Sequence, residues 1–129
     1  TLRQGVDFVL SCLSRMQGGE TYIPKIPSMK ITDLANFLAP GMKQKVVGIR
    51  PGEKLHEVMV PMDDSRMTLE QTDRFIIQPA FKWWTDQEYI ANGAEPVEEG
   101  FVYSSDNNGE WLDADSLRQL LESSPDEHT

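Results

Sequence analysis

GIRPGEKLHE, residues Gly48 to Glu57, follows Val46-Val47 and decides how the middle of the chain is read. Lys45 to Ile49 form an apolar run that reads as a buried strand. Pro51-Gly52 fixes a tight turn. Glu53 to Met59 then reads as a short helix, with Leu55, Val58 and Met59 inward and Glu53 near its positive N-terminal end. On this reading Arg50 projects in one direction from a strand's carboxyl end, the edge where ligands gather in open α/β sheets.

Two readings of this segment stand side by side. In the first it is a solvated turn followed by a helix start, with Glu53 favoured by the helix dipole. In the second it is a polar hand. Arginine is the side chain best shaped to meet two phosphate oxygens at once, and a carboxylate accepts hydrogen bonds from vicinal hydroxyls. Arg50 and Glu53 are therefore the candidate binding residues.

Working outward, Leu2, Val6, Val9, Leu10 and Leu13 recur at helical steps. They predict an amphipathic helix over 2–16, opened by capping-box spacing at Thr1 and Gln4 and ended by Gly18-Gly19. Glu20 to Ile23 is β-prone and stopped by Pro24. Ile31, Leu34, Ala35 and Leu38 predict a second helix over 31–38, closed by Pro40-Gly41. Pro61 to Arg66 is a polar turn. Met67–Gln71 and Arg74–Gln78 read as a hairpin around Thr72-Asp73. Residues 79–100 read as irregular, with one of Trp83 and Trp84 on the core and the other exposed. Residues 101–105 are a strand, 106–109 a turn, and Asp113 caps a last helix over about 114–121. The tail, 123–129, reads as disordered. The expected fold class is a small α+β unit, with 1–122 as one lobe.

The 129 residues fit a single domain. Mean hydropathy is −0.45, and no stretch approaches the roughly 20 apolar residues of a membrane span. Charge is split: residues 1–82 carry 11 Lys and Arg against 9 Asp and Glu, net +2, whereas residues 83–129 carry 1 against 12, net −11. So acidic a chain is a poor partner for nucleic acid or an anionic membrane. A cytoplasmic compartment is the simplest expectation. The lone Cys12 sits on the apolar face of the first helix and reads as a buried, inert thiol.

Several chemistries lack their residues. There is no Gly-x-Gly-x-x-Gly or Walker-type loop to cradle a pyrophosphate. His56 and His128 lie near no second ligand set, so no zinc site is expected. No Gly-x-Ser-x-Gly nucleophile motif occurs. Tyr22, Tyr89 and Tyr103 are followed at +4 by Ile26, Gly93 and Asn107, so no Tyr-x-x-x-Lys pair exists.

IRPGEKLHE, preceded by GGETYIPKIPSMKITDLA and followed by FIIQP and YSSDNNGEWL, resembles the C-terminal part of inverting UDP-N-acetylglucosamine 4,6-dehydratases. These belong to the extended short-chain dehydrogenase/reductase superfamily and open bacterial pseudaminic acid synthesis. The resemblance runs from Thr1 to about Leu121 and rests on several motifs in order. It implies an enzyme that uses NADP to oxidise the sugar at C4, eliminates water across C5–C6, returns hydride to C6 and inverts C5. It also implies that Arg50 meets nucleotide phosphate oxygens and Glu53 a hydroxyl, on the ribose, of a UDP-sugar.

The departure from that family is as specific. Its glycine-rich cofactor loop, its Asp-Lys pair and its Tyr-x-x-x-Lys have no counterpart here. The chain begins at Thr1 rather than methionine and reads as a fragment. It would be a substrate-binding lobe without the Rossmann cofactor domain, holding no catalytic and no cofactor-binding residue of its own. The partners implied are a UDP-sugar, the missing N-terminal cofactor domain and, compatibly, a second copy. The alternative is a repurposed, non-catalytic module that oligomerises or binds a partner through the surface the cofactor domain would cover.

Overall fold

The computed structural model describes residues 1–122; the tail expected to be disordered lies outside them. The chain forms an α+β fold with antiparallel sheets and divides into two compact units. One comprises Leu2–Lys25 and Val58–Ser104. The other comprises Thr1, Ile26–Glu57 and the described residues from Ser105 onward.

The first unit is built on strand β4, Arg74–Ile77. Antiparallel to it run β1, Thr21–Pro24, on one side and β3, Thr68–Glu70, on the other. The short strand β5, Glu95–Pro96, adds outside β3. The hairpin expected between 67 and 78 is present, and the Gln71 N–H donates to Arg74 O across its turn. Strand alternation sends successive side chains to opposite faces, and here both faces are packed. Phe75 and Ile23 join Val60 and Tyr103 in one core cluster; Ile76 and Leu69 join Tyr89 and Ala94 in the other. Packing on both faces is why Phe75-Ile76-Ile77, after Arg74, reads as a continuous hydrophobic run rather than an alternating one. Ile76 is fully buried, 0% exposed.

Helix α1, Leu2–Leu13, follows the predicted periodicity but stops three residues short of the expected end. The N–H groups of Gln17 and Gly18 donate instead to the Glu20 carboxylate, both at 2.7 Å. Its apolar stripe, including Leu2, Val9, Leu10 and Leu13, is exposed. What fastens α1 to the sheet is polar. The Arg74 guanidinium, 3% exposed, bonds Asp73 at 2.6 Å and Ser11 Oγ at 2.9 Å and lies over the Phe8 ring. Its Nη1 stands 3.3 Å from Cys12 Sγ. Cys12 is thus half-buried against a cation, not sealed in apolar surroundings as expected.

Glu20 anchors a second polar knot. Tyr89 Oη donates to it, and Tyr22 Oη lies 2.8 Å from Tyr89 Oη. Burial opposes the Glu20 charge, but the bonds from Tyr89, Gln17 and Gly18 outweigh it and hold the carboxyl below its ordinary value. Burial, and then the bonds to Glu20 and Tyr22, push the Tyr89 hydroxyl up. Asp73 is held down by its bond to Arg74.

Three segments depart from expectation. Residues 61–66, read as a polar turn, lie largely in a 3-10 helix, Met62–Met67. The stretch 79–100 contains helix α3, Gln87–Ala91, as well as β5. Residues 101–105 contribute only a two-residue strand, β6, Tyr103–Ser104, which pairs with β2, Val58–Val60, across a register shift. The tryptophans divide as expected: Trp84 packs edge-on against Tyr89, and Trp83 is exposed.

In the second unit, α2, Ile31–Leu38, and α4, Ala114–Glu122, face each other, with Leu117 buried and the Arg118 guanidinium over the Phe37 ring. Asp113 caps α4 as predicted, accepting the Ser116 N–H at 2.8 Å. The strand expected at Lys45–Ile49 is absent: the segment is irregular, Val46 is 92% exposed and Gly48 takes φ +83. The helix expected at Glu53–Met59 is absent too, with Leu55 at 88% exposure. An apolar run becomes a strand only where a neighbour can take its N–H and C=O groups, and among the described residues no strand lies beside 45–49.

Candidate functional site: the Arg50–Glu53 turn

Arg50-Pro51-Gly52-Glu53 forms one closed turn. The Glu53 N–H donates to Arg50 O at 3.0 Å. Proline at the first central position and Gly52 at φ +86 in the second match the type II pattern, in which only glycine sits without strain. Glu53 returns the bond, its Oε2 accepting the Arg50 N–H at 2.8 Å. The Arg50 guanidinium reaches to 3.9 Å from Glu53 Oε1, and the side chains are 78% and 48% exposed. Both charged groups stand in solvent, on one bend of backbone, with no strand behind Arg50 and no helix after Glu53.

Beyond the turn the segment is tied to a distant loop. The Glu57 N–H donates to Ser105 Oγ at 3.0 Å, and the Ser105 N–H donates to Glu57 O at 2.9 Å. His56 Nδ1 lies 3.5 Å from Asp106 Oδ2, and Lys54 Nζ 3.4 Å from Glu57. These long-range partners were not singled out from the sequence, because nothing local connects positions 48 residues apart.

A cleft of about 300 Å³ lies in the other unit, lined by Ser14, Arg15, Gln71, Glu88, Tyr89 and Asn92. It contains neither Arg50 nor Glu53. Among the described residues no group of three or more His, Cys, Asp or Glu is arranged to hold a metal, and no helix is long and apolar enough to cross a membrane.

Comparison with known proteins places these features. The family model for polysaccharide biosynthesis proteins matches residues 1–79, which include α1, β1, α2 and the Arg50–Glu53 turn. The chain belongs to this family. It is 48% identical over 126 residues to a UDP-N-acetylglucosamine 4,6-dehydratase (inverting) of Campylobacter jejuni subsp. jejuni serotype O:2. It is 47% identical over 127 residues to the enzyme of the same name from serotype O:23/36. Each alignment takes in 94% of this chain but 38% of the relative, so the chain spans well under half the length of these curated proteins. The X-ray structure of Pen from Bacillus thuringiensis superposes with a TM-score of 0.72 at 27% identity, over 95% of this chain and 36% of that one.

The resemblance drawn from the motifs thus agrees with the measured similarity. A dinucleotide in this family context would need a strand, a glycine-rich bend and a helix N-terminus in succession. The described residues do not fit one. The positive-φ pair Gly18-Gly19 follows a helix and precedes a strand, the reverse order, and Gly48 and Gly52 lead into no helix.

Proposed function

We propose that this chain is the nucleotide-sugar-binding lobe of a UDP-N-acetylglucosamine 4,6-dehydratase of the extended short-chain dehydrogenase type. Arg50 meets phosphate oxygens and Glu53 a hydroxyl, on the ribose. One observation carries the reading: a guanidinium and a carboxylate share one glycine-dependent turn and both face solvent. Their mutual pairing at 3.9 Å is loose, and an exposed pair of this kind is worth about 0–1 kcal/mol, little enough for a diphosphate to displace. The 47–48% identity to two proteins named for this sugar nucleotide supports the ligand class.

On this reading the chain binds and orients the nucleotide and is not catalytic alone. Oxidation at C4, loss of water and inversion at C5, the NADP-dependent lyase chemistry that leads toward pseudaminic acid, belong to groups outside the described residues. The complete protein would act in the cytoplasm. Titration calorimetry with UDP and with UDP-N-acetylglucosamine tests the assignment. Weak binding is expected, lost by roughly tenfold or more in Arg50→Ala, since hydrogen bonds to charged groups contribute about 1.5–3 kcal/mol. Absence of heat at millimolar ligand would count against it.

A second reading is favoured by the exposed stripe of α1. The lobe would be a module that pairs with a copy of itself, or seats a cofactor domain, through Leu2, Val6, Val9, Leu10 and Leu13. Sedimentation velocity across a wide concentration range tests self-pairing; an unchanging monomer removes it.

A further inference from the structure

We infer that Ser105 and Asp106 are positioning residues for the Arg50–Glu53 turn, acting through Glu57 and His56. The inference rests on the nucleotide-binding reading of that turn. Upstream of Arg50 the chain offers the turn no support. Residues 45–49 lie in no helix or strand and are exposed, and the nearest upstream tie is Gln44, whose Nε2 donates to Asn36 Oδ1 at 2.7 Å. The direction in which Arg50 and Glu53 point is therefore set from the downstream side.

There the chain is gripped twice. Glu57 and Ser105 exchange two hydrogen bonds, at 3.0 and 2.9 Å, one using the serine hydroxyl and one its main chain. The neighbouring pair, His56 and Asp106, sits at 3.5 Å. The gripping loop is itself fixed. Asn108 Nδ2 donates to Ile26 O at 2.5 Å and to Ser28 Oγ at 3.1 Å. Ser28 N–H donates to Glu110 O, and Leu112 N–H to Ser28 O, both at 2.8 Å. Trp111 Nε1 donates to Asn108 O at 2.7 Å. Asn108 is thus bonded to Ser28, and Ser105, three residues before it in the chain, is bonded to Glu57, four residues after Glu53, all within one unit. A bracket of this kind pre-organises the ligand groups, so binding need not order the segment first.

The {1H}-15N NOE of residues 50–57, which reports fast backbone order, tests this with no ligand present; UDP titration then tests the consequence. Ser105→Ala should lower the NOE at Glu53 and Glu57 and weaken UDP binding roughly three- to tenfold, the worth of one net hydrogen bond. Ser105→Thr, which keeps the hydroxyl, should restore both. Unchanged NOE values in Ser105→Ala, or lowered values with unchanged UDP affinity, would overturn the inference. If Ser105→Ala fails to fold, the exposed His56→Gln carries the same comparison against Asp106, and an unaltered NOE there overturns it equally. A wild-type chain that ignores UDP overturns the nucleotide reading, and the positioning inference that rests on it, whatever the NOE shows. A wild-type chain that binds UDP while Ser105→Ala leaves the turn ordered overturns the positioning alone.

Discussion

The backbone N–H of Arg50 donates to Oε2 of Glu53 at 2.8 Å, while the arginine's own guanidinium stays 3.9 Å from Oε1. The carboxylate shapes the turn through the main chain, and the guanidinium is left to solvent. The two residues therefore have separable roles.

Replacing Arg50 with alanine should leave the turn intact and weaken UDP binding about tenfold or more. Glu53→Ala should loosen both, because the Arg50 N–H loses its acceptor, whereas Glu53→Gln, which keeps an acceptor oxygen, should be milder. Calorimetry, together with the amide shift of Arg50, separates the three.

Gly52→Ala isolates backbone strain. A Cβ at this position meets nothing within 4 Å, so any effect comes from φ +86, a conformation that costs a side-chain-bearing residue about 1–2 kcal/mol. UDP affinity should fall roughly five- to thirtyfold. The thermal midpoint of the chain should barely move, because the turn is exposed and outside both core clusters.

How far the sequence disclosed all this depends on how local each feature is. Helices α1, α2 and α4 and the 68–77 hairpin follow from period, cap and turn residues that lie within a few positions of one another. The turn at Pro51-Gly52 is legible for the same reason. The strand expected at Lys45–Ile49 failed because Val46, Val47 and Ile49 are apolar without a partner strand, and pattern alone does not supply one. Helix α3 and strand β5 are five and two residues long, too short for any period to register. The brackets at Ser105 and Asp106 join distant positions and leave no local mark.

Stability should fall in acid, with the sign fixed by Glu20 and Asp73. Both carboxyls sit below their ordinary values of 4.5 and 3.8 in the folded chain. The unfolded chain therefore takes up protons first as pH drops. Their contribution is complete above about pH 5 and is lost as pH falls through the lower folded values. Urea midpoints measured from pH 7 to pH 3 should decline across that window. Tyr89→Phe removes a hydroxyl that donates to Glu20. It should cost about 1–3 kcal/mol at neutral pH and flatten the acid dependence, as the Glu20 carboxyl moves back toward its ordinary value.

Ile76 tests the two-faced core. Ile76→Ala should destabilise the chain by about 2–5 kcal/mol and Ile76→Val by about 0.5–1.5 kcal/mol, read from denaturant midpoints at unchanged slope. Comparable losses for Ile76→Ala and an exposed control such as Ile31→Ala would contradict the packing described.

The two units are threaded through one another in sequence: the chain leaves the sheet unit after Lys25, returns at Val58 and leaves again after Ser104. Synthesis in sequence order cannot finish either unit before residue 104 has been made. Strand β6 closes one only at residue 104, and the loop that holds the RPGE turn emerges later still. Ile23 and Phe75 must wait for Tyr103 before their core cluster is complete, an interval in which chaperone capture would matter more than for a protein whose parts follow one another in order.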